Sequence, residues 1–432
     1  NQDLQIKPCG FNTVTKSIIE RNLTMITSGI DIGKNSHVIS VIDQDTGVLL
    51  VKPTSFTNNF EGFKKLDKIL EPYSEKNLRI GMEDTGHYHL PVVTLLVEKG
   101  IFTCCVNALR MKKFCSQSIR RAKTDKIDAV HIAQFGLTYW DELSPVKPPV
   151  YVYQELKLLA RQYYQTVSML VKAKVNLSNL LDQTMPGIKE LMNDSPGNHK
   201  LTDFVKRYYH YGHILEMGEK RFHYDYCKWA KKQGYRMYER LAKEILAIAQ
   251  NGIPVLPNSP VTKAVVVEAV RVLHEIEISR DTILAQMQEL AKSLPEFSLI
   301  REMPCIGDTL APRIIAEIGD IRRFKNKHSL IAYAGIDAPP YQSGSFNATE
   351  RHISKRGNSY LRKTGYEIMQ CLIQHKPIGD PVYDFICKKR HKGKCGKEAM
   401  IAGLNKFLRI YYGRVTELYK EINEQLIFGS YL

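Results

Sequence analysis

The pattern of apolar residues changes once along this chain, and the change limits the folds open to it. Up to about residue 106 they fall in short runs rich in β-branched residues: Met25-Ile-Thr-Ser-Gly-Ile30, Ser36-His-Val-Ile-Ser-Val-Ile42, Val48–Pro53, Leu78–Glu83 and Ile101–Val106. Such runs read as strands, and Asp43–Gly47 is turn chemistry joining the first two into a hairpin. Asn58 is expected to cap a helix in which Phe60, Phe63, Leu66 and Leu70 recur at helical spacing. Pro91–Lys99 reads as a second helix, stopped by Gly100. From Tyr151 the period is helical throughout. Leu156, Leu159, Tyr163, Leu170, Leu177, Leu180 and Leu181 form one long stripe, and Val266, Val270, Leu273, Ile276, Ile283, Met287 and Leu290 form another.

Three strands, helix, strand, helix, strand, helix is the order of an α/β RNase H-like domain, expected over residues 24–145. The two long stripes predict an antiparallel helical hairpin or an oligomerising coiled coil within 150–297. The part between them, heavy in Tyr, Lys and Arg, forms a basic aromatic insert. The last domain, 298–410, opens with Met303-Pro-Cys-Ile-Gly-Asp308, the kind of turn by which a helix-hairpin-helix points backbone N–H groups at phosphates. It is expected to be mainly α.

Net charge is +16, which favours a polyanionic partner. No stretch approaches the roughly 18 apolar residues of a spanning helix, so nucleic acid is favoured over membrane. The nine cysteines follow no regular framework and predict reduced thiols in a cytosolic protein. Cys387, His391 and Cys395 offer three ligands in a lysine run, a weak zinc pattern. The chain opens on Asn1 rather than methionine, which predicts a trimmed or processed start.

Four acids carry the chemistry. Asp31 lies in Gly29-Ile-Asp-Ile-Gly-Lys34, Glu83 in Gly81-Met-Glu-Asp-Thr-Gly86, and Asp125 and Asp128 in Lys123-Thr-Asp-Lys-Ile-Asp128. Two come from strand ends. The other two, three residues apart at a helix start, project from one face. Such a set can hold Mg²⁺ or Mn²⁺ against a phosphodiester; the bland alternative is strand-end acids plus ordinary helix-start preference. Asp84 should point to the opposite face. Arg110, Lys112, Lys113, Arg120, Arg121, Lys123 and Lys126 crowd around the acidic pair, and Lys355, Arg356 and Arg362 form a second basic group. Both are expected to hold phosphates. The aromatic residues of the insert either stack on unpaired bases or pack. His87 and His89 either assist proton transfer or pack.

These motifs resemble the DEDD transposases of insertion sequences. The likeness covers about residues 24–140 and 298–375. It rests on Ile30-Asp-Ile-Gly-Lys34, Glu83-Asp-Thr-Gly-His-Tyr88 and Lys123-Thr-Asp-Lys-Ile-Asp-Ala129, then on the C-terminal Ala-Glu-Ile-Gly-Asp320, Tyr-Ala-Gly-Ile336, Ser343-Gly344 and Lys355-Arg-Gly-Asn358 series. The resemblance implies a RuvC-like domain, a coiled-coil middle and a serine-bearing transposase domain in a bacterial or archaeal cytoplasm. It implies an RNA-guided DNA recombinase acting on donor and target duplexes, with a bridge RNA transcribed from the element as guide. Asp31, Glu83, Asp125 and Asp128 would bind Mg²⁺, and Ser343 would be the nucleophile that bonds to DNA. Ser345 is close enough to compete. The long helices and the split between acids and serine suggest a homodimer assembling to a tetramer. Two other readings stay open from the residues: a junction-resolving endonuclease that hydrolyses DNA, and a non-catalytic nucleic-acid binding protein.

Overall fold

A computed structural model describes residues 25–429 apart from 75, 85, 117–123, 147–149, 196, 237, 340, 341, 344, 345 and 348–351. The chain divides after Pro149 into two compact units.

In the first unit the β-branched runs become β1 (Met25–Ile32), β2 (Ser36–Asp43), β3 (Leu49–Thr57), β4 (Asn77–Glu83) and β5 (Phe102–Val106). They form one sheet in the order β3-β2-β1-β4-β5. The first three strands pair antiparallel, while β4 joins β1, and β5 joins β4, in parallel. A three-stranded meander extended by parallel strands is the RNase H-like arrangement. In the first hairpin Asp43 Oδ1 accepts from the N–H groups of Asp45 (3.0 Å) and Thr46 (2.9 Å). Helix α1 (Phe60–Leu70) is capped by Asn59 and not by the expected Asn58. Asn59 Oδ1 accepts from Gly62 N at 2.9 Å, whereas Asn58 Nδ2 donates to Lys34 O at 3.2 Å.

Alternation along the strands gives the sheet two apolar faces. On one, Ile26, Ile30, Ile80 and Met82 pack under Leu66 and Leu70 of α1 and Val92, Val93 and Leu96 of α2 (Leu90–Glu98). On the other lie α3 (Ala108–Cys115) and α4 (Asp125–Thr138), whose Ile132 and Phe135 meet Cys104, Val106 and Met111. The contact between α4 and β1 is backbone on backbone. A Cβ at Gly29 would come within 2.2 Å of the Ala129 carbonyl oxygen and 2.4 Å of Ala133 N, and one at Gly136 within 3.2 Å of Thr27 Cγ2. Gly136 beside Thr27 and Ala129 beside Gly29 mean that α4 runs antiparallel to β1.

In the second unit, Ser259 and Pro260 set the start of α11 (Pro260–Lys292), which runs antiparallel to α5 (Tyr151–Thr184). Leu156 and Tyr163 share a core with Met287 and Ala291 at one end of the pair. Leu170, Leu177 and Leu181 share a second with Val266, Val270 and Leu273 at the other. Five helices lie between them in sequence: α6 (Ile188–Leu191), α7 (Lys200–Tyr208), α8 (Tyr211–Met217), α9 (Glu219–Lys232) and α10 (Glu239–Asn251). Here the packing reading of the aromatics wins. Tyr208, Tyr211, Phe222, Tyr226 and Trp229 are buried in that second core, and only Tyr224 and Tyr238 of the group are well exposed.

The remainder is α12 (Glu296–Arg301), α13 (Leu310–Ile318), α14 (Lys327–Ala334), a two-strand ribbon β6 (Gln342–Ser343) and β7 (Phe346–Asn347), α15 (Ser359–His375), α16 (Pro381–His391) and α17 (Gly396–Gly429). The eight described cysteines are unpaired, and among the described residues no helix is long and apolar enough to cross a membrane.

Gly29→Ala forces α4 off the sheet, since neither backbone atom it meets can yield. It is expected to destabilise the first unit by about 1–3 kcal/mol, the cost of overpacking. Urea unfolding followed by Trp140 fluorescence in a Trp229→Phe background checks this, because the chain's other tryptophan is then absent.

Candidate active site

Register brings the strand acids together. β1 and β4 are parallel neighbours with Ile30 opposite Met82, and both of those side chains enter the α1–α2 core. Asp31 and Glu83, one residue further along each strand, therefore stand side by side on the α4 face. Asp84 turns the other way: its carboxylate lies 3.7 Å from Nε2 of the buried His89.

Helix α4 supplies the second pair. Thr124 caps it, its Oγ1 accepting from Ile127 N at 3.3 Å. Asp125 and Asp128 fall in the first turn. Because α4 is antiparallel to β1, that turn reaches the strand end that carries Asp31.

The electrostatics report the convergence. Asp31 is half-buried, and its carboxyl is pushed up to about 6, first by burial and then by repulsion from Asp128, Asp125 and Glu83. No three of these acids bring oxygens within 4.8 Å of one another; like charges keep apart. Four hard oxygen donors sharing one field are the ligand type of Mg²⁺ or Mn²⁺, and a cation among them would remove the repulsion that raises Asp31. The donor set fits the metal.

Cys115 and His131 were not anticipated. Cys115 Sγ is 3.6 Å from His131 Nδ1, and the thiol is raised by burial and then by Asp128 and Glu83. His131 follows Asp128 by three residues, the one signal that could have placed it beside the acids.

Of the basic residues, Lys112, Lys113 and Lys126 are exposed. Arg110 is engaged within the unit: Nη2 is 2.7 Å from Glu142 Oε2, and the guanidinium sits 5.3 Å from both the Phe135 and Tyr139 rings. Arg120, Arg121 and Lys123 lie outside the described residues. His87 is exposed beside Tyr88.

In the second unit Ser343 ends β6, its backbone opposite Phe346; Ser345 lies outside the described residues. The segment 354–358 is closely held. A Cβ at Gly357 would meet Tyr333 O at 2.4 Å, and Ser354 Oγ donates to Asp337 Oδ1 at 2.5 Å. Arg362 Nη1 donates to the carbonyls of Ala334 (2.9 Å) and Gly357 (3.2 Å), so this residue ties the segment down. Lys355 and Arg356 are exposed.

Asn358 caps α15, accepting from Tyr360 N (3.0 Å) and Leu361 N (3.1 Å), while its Nδ2 donates to Glu317 Oε2 at 2.7 Å. Arg161 Nη2 donates to the same oxygen at 3.0 Å. Glu317 is buried, and burial raises its carboxyl. The sequence shows Glu317 and Asn358 only as parts of two motifs, 41 residues apart, with nothing to say they touch.

A family model described as transposase, of the DEDD IS110 type, matches residues 28–186. Another, described as transposase of the IS116/IS110/IS902 family, matches residues 297–384. An insertion element IS110 protein of Streptomyces coelicolor is 21% identical over 78% of this chain and 80% of its own length. A pilin gene-inverting protein of Moraxella bovis is 22% identical over 90% of this chain and 95% of its own. Among solved structures, Thermus thermophilus RuvC with a Holliday junction substrate covers 28% of this chain and 99% of its own at 13% identity and a TM-score of 0.23. The RNase H-like assignment rests on strand order and direction.

Two variants probe these arrangements. The fold favours protonated Asp31, so its ionisation costs stability as pH rises from about 4 to about 6. In EDTA, Asp31→Asn should therefore match wild type below pH 4 and be more stable above pH 6, by about 1 kcal/mol after allowance for solvent screening. Thermal melts across pH measure it, and Mg²⁺ should raise the wild-type melting temperature more than the variant's. Asn358→Ala removes a helix cap and a hydrogen bond to a buried carboxylate, for about 2–4 kcal/mol in urea unfolding.

Proposed function

Because the chain belongs to the IS116/IS110/IS902 transposase family, and is thereby a DNA transposase or recombinase, we propose that it recombines donor and target DNA through a metal-assisted serine–DNA intermediate under the guidance of an element-encoded RNA. The observation that carries the metal site is geometric: parallel register sets Asp31 beside Glu83, and the first turn of α4, with Asp125 and Asp128, reaches the same strand end. Asp31, Glu83, Asp125 and Asp128 would hold Mg²⁺ or Mn²⁺. Bound there, the cation supplies charge neutralisation at the scissile phosphate and activation of an oxygen nucleophile.

Ser343 is the proposed nucleophile. Its Oγ bonds to phosphorus as the bond from phosphorus to a deoxyribose oxygen breaks; the hydroxyl proton leaves, and the departing oxygen takes one up. The reverse step, by a different strand's hydroxyl, rejoins DNA with no energy cofactor. A relative named for inverting a pilin gene supports rejoining over hydrolysis, since inversion must restore every strand that is cut. RNA guidance fits a chain of net charge +16 whose exposed Lys112, Lys113, Lys126, Lys355 and Arg356 suit phosphate contact without base reading. The proposed assembly is a dimer that pairs into a tetramer.

Labelled donor and target duplexes, RNA from the element's non-coding flank and Mg²⁺, run on a denaturing gel with the protein, test this. A DNA band shifted by the mass of the chain is expected, lost in Ser343→Ala and in Asp125→Ala. Cut DNA without an adduct, unchanged in Ser343→Ala, would sink the serine chemistry and leave metal-dependent hydrolysis.

A further inference from the structure

The helical insert holds a cluster that neither the acids nor the serine uses. His199 precedes α7, while His274 and Glu277 lie one turn apart on α11. One donor atom from each lies within 4.8 Å of the others, and among the described residues no other three His, Cys, Asp or Glu meet that spacing. The Cys387, His391 and Cys395 pattern does not.

Thr202 touches both histidines, one through its backbone and one through its ring. Thr202 Oγ1 donates to the His199 carbonyl at 3.1 Å and lies 3.0 Å from His274 Nε2. A hydroxyl has one hydrogen to give, so toward His274 it accepts. With the hydroxyl hydrogen given to the His199 carbonyl, Nε2 carries the ring hydrogen and Nδ1 keeps its lone pair. An imidazole whose N–H is fixed by an outer partner, with the other nitrogen free, is how proteins orient a metal ligand. His199 Nδ1 is 3.7 Å from Glu277 Oε2, and the two rings meet edge-on at 4.9 Å. Lys174 opposes a cation here, since its Nζ is 3.2 Å from Glu277. It pairs with Oε1, however, and leaves Oε2 toward His199, and its side chain is 54% exposed and free to turn away.

We propose that His199, His274 and Glu277 bind one first-row divalent cation of the zinc type, which pins the start of α7 to α11. Two imidazoles and one carboxylate select Zn²⁺ over Mg²⁺, which takes oxygen ligands. Water completes the tetrahedron. Ligand bonds of about 2.0–2.2 Å set donors roughly 3.3–3.5 Å apart, so the three side chains close by about 1 Å, with the half-exposed His199 moving most. The site differs from the four acids in donor type and lies in the other unit.

The test uses the full chain stripped with EDTA and titrated with Zn²⁺ in a calorimeter, then with Co²⁺ followed by absorbance. Wild type should take up one zinc that Glu277→Gln and His274→Ala lose, while Asp31→Asn keeps it. Thr202→Val, which removes the outer partner of His274 together with the bond to the His199 carbonyl, should weaken it 10–100-fold. Bound Co²⁺ should show visible bands without the near-ultraviolet absorption of a thiolate ligand. Equal zinc stoichiometry and affinity in wild type and Glu277→Gln, with unchanged circular dichroism, would overturn the proposal, as would a thiolate band. Should His274→Ala not fold, Glu277→Gln and Thr202→Val still decide it.

Discussion

The chemistry available to the first unit depends on how closely two backbones approach at Gly29. With no side chain there, α4 lies directly on β1, its Ala129 carbonyl and Ala133 nitrogen where a Cβ would stand. That depth sets how far the first turn of α4 reaches toward the strand end. The packing gained by Ile132 and Phe135 against Cys104, Val106 and Met111 holds the helix there against a real cost, the mutual repulsion of four carboxylates. The helix helps: its N-terminal N–H groups carry partial positive charge beneath Asp125 and Asp128. Asp31, half-buried and central to the group, registers what repulsion remains.

The second unit depends on a different constraint, one buried charge. Removing Glu317 from water is costly, and the cost is offset at Oε2, which has two partners, but not at Oε1, which has no hydrogen-bond partner among the described residues. The partners come from far apart in the chain: Arg161 from α5 and Asn358 from the turn before α15. The guanidinium of Arg161 also lies over the Tyr360 ring at 3.7 Å. A single carboxylate thus fixes a long helix, the start of α15 and the basic segment 354–358 with respect to one another. Arg362 adds to this through two backbone carbonyls. Arg362, expected to hold phosphate, thus has its Nη1 committed to this turn.

Local signals were legible where local physics decides. Alternation and β-branching marked the five strands, and long-range helical period marked α5 and α11. The cap of α1 is off by one residue because Asn58 and Asn59 are chemically equal; a hydrogen bond from Asn58 back to Lys34 chooses between them. The aromatic insert read equally well as a stacking surface or a core. Five helices folding against the second half of α5 bury its largest rings, a contact that no window of sequence contains. Arg110 reads as one charge in a basic run, and Glu142, 32 residues on, engages it together with the rings of Phe135 and Tyr139.

By itself the sequence determined the residue types and their order: acids at strand ends, an acidic pair behind a threonine cap, a glycine in the first strand, and motif series that mark the family. These depend on near neighbours and on chemistry that each residue carries wherever it lies. Only the tertiary structure decided that Asp31, Glu83, Asp125 and Asp128 share one field, that Glu317 meets Arg161 and Asn358, and that His199 meets His274 and Glu277. Parallel strand register, helix direction and the close approach at Gly29 set those meetings. Each is a property of how distant segments pack, where burial and repulsion are settled between residues tens to hundreds of positions apart.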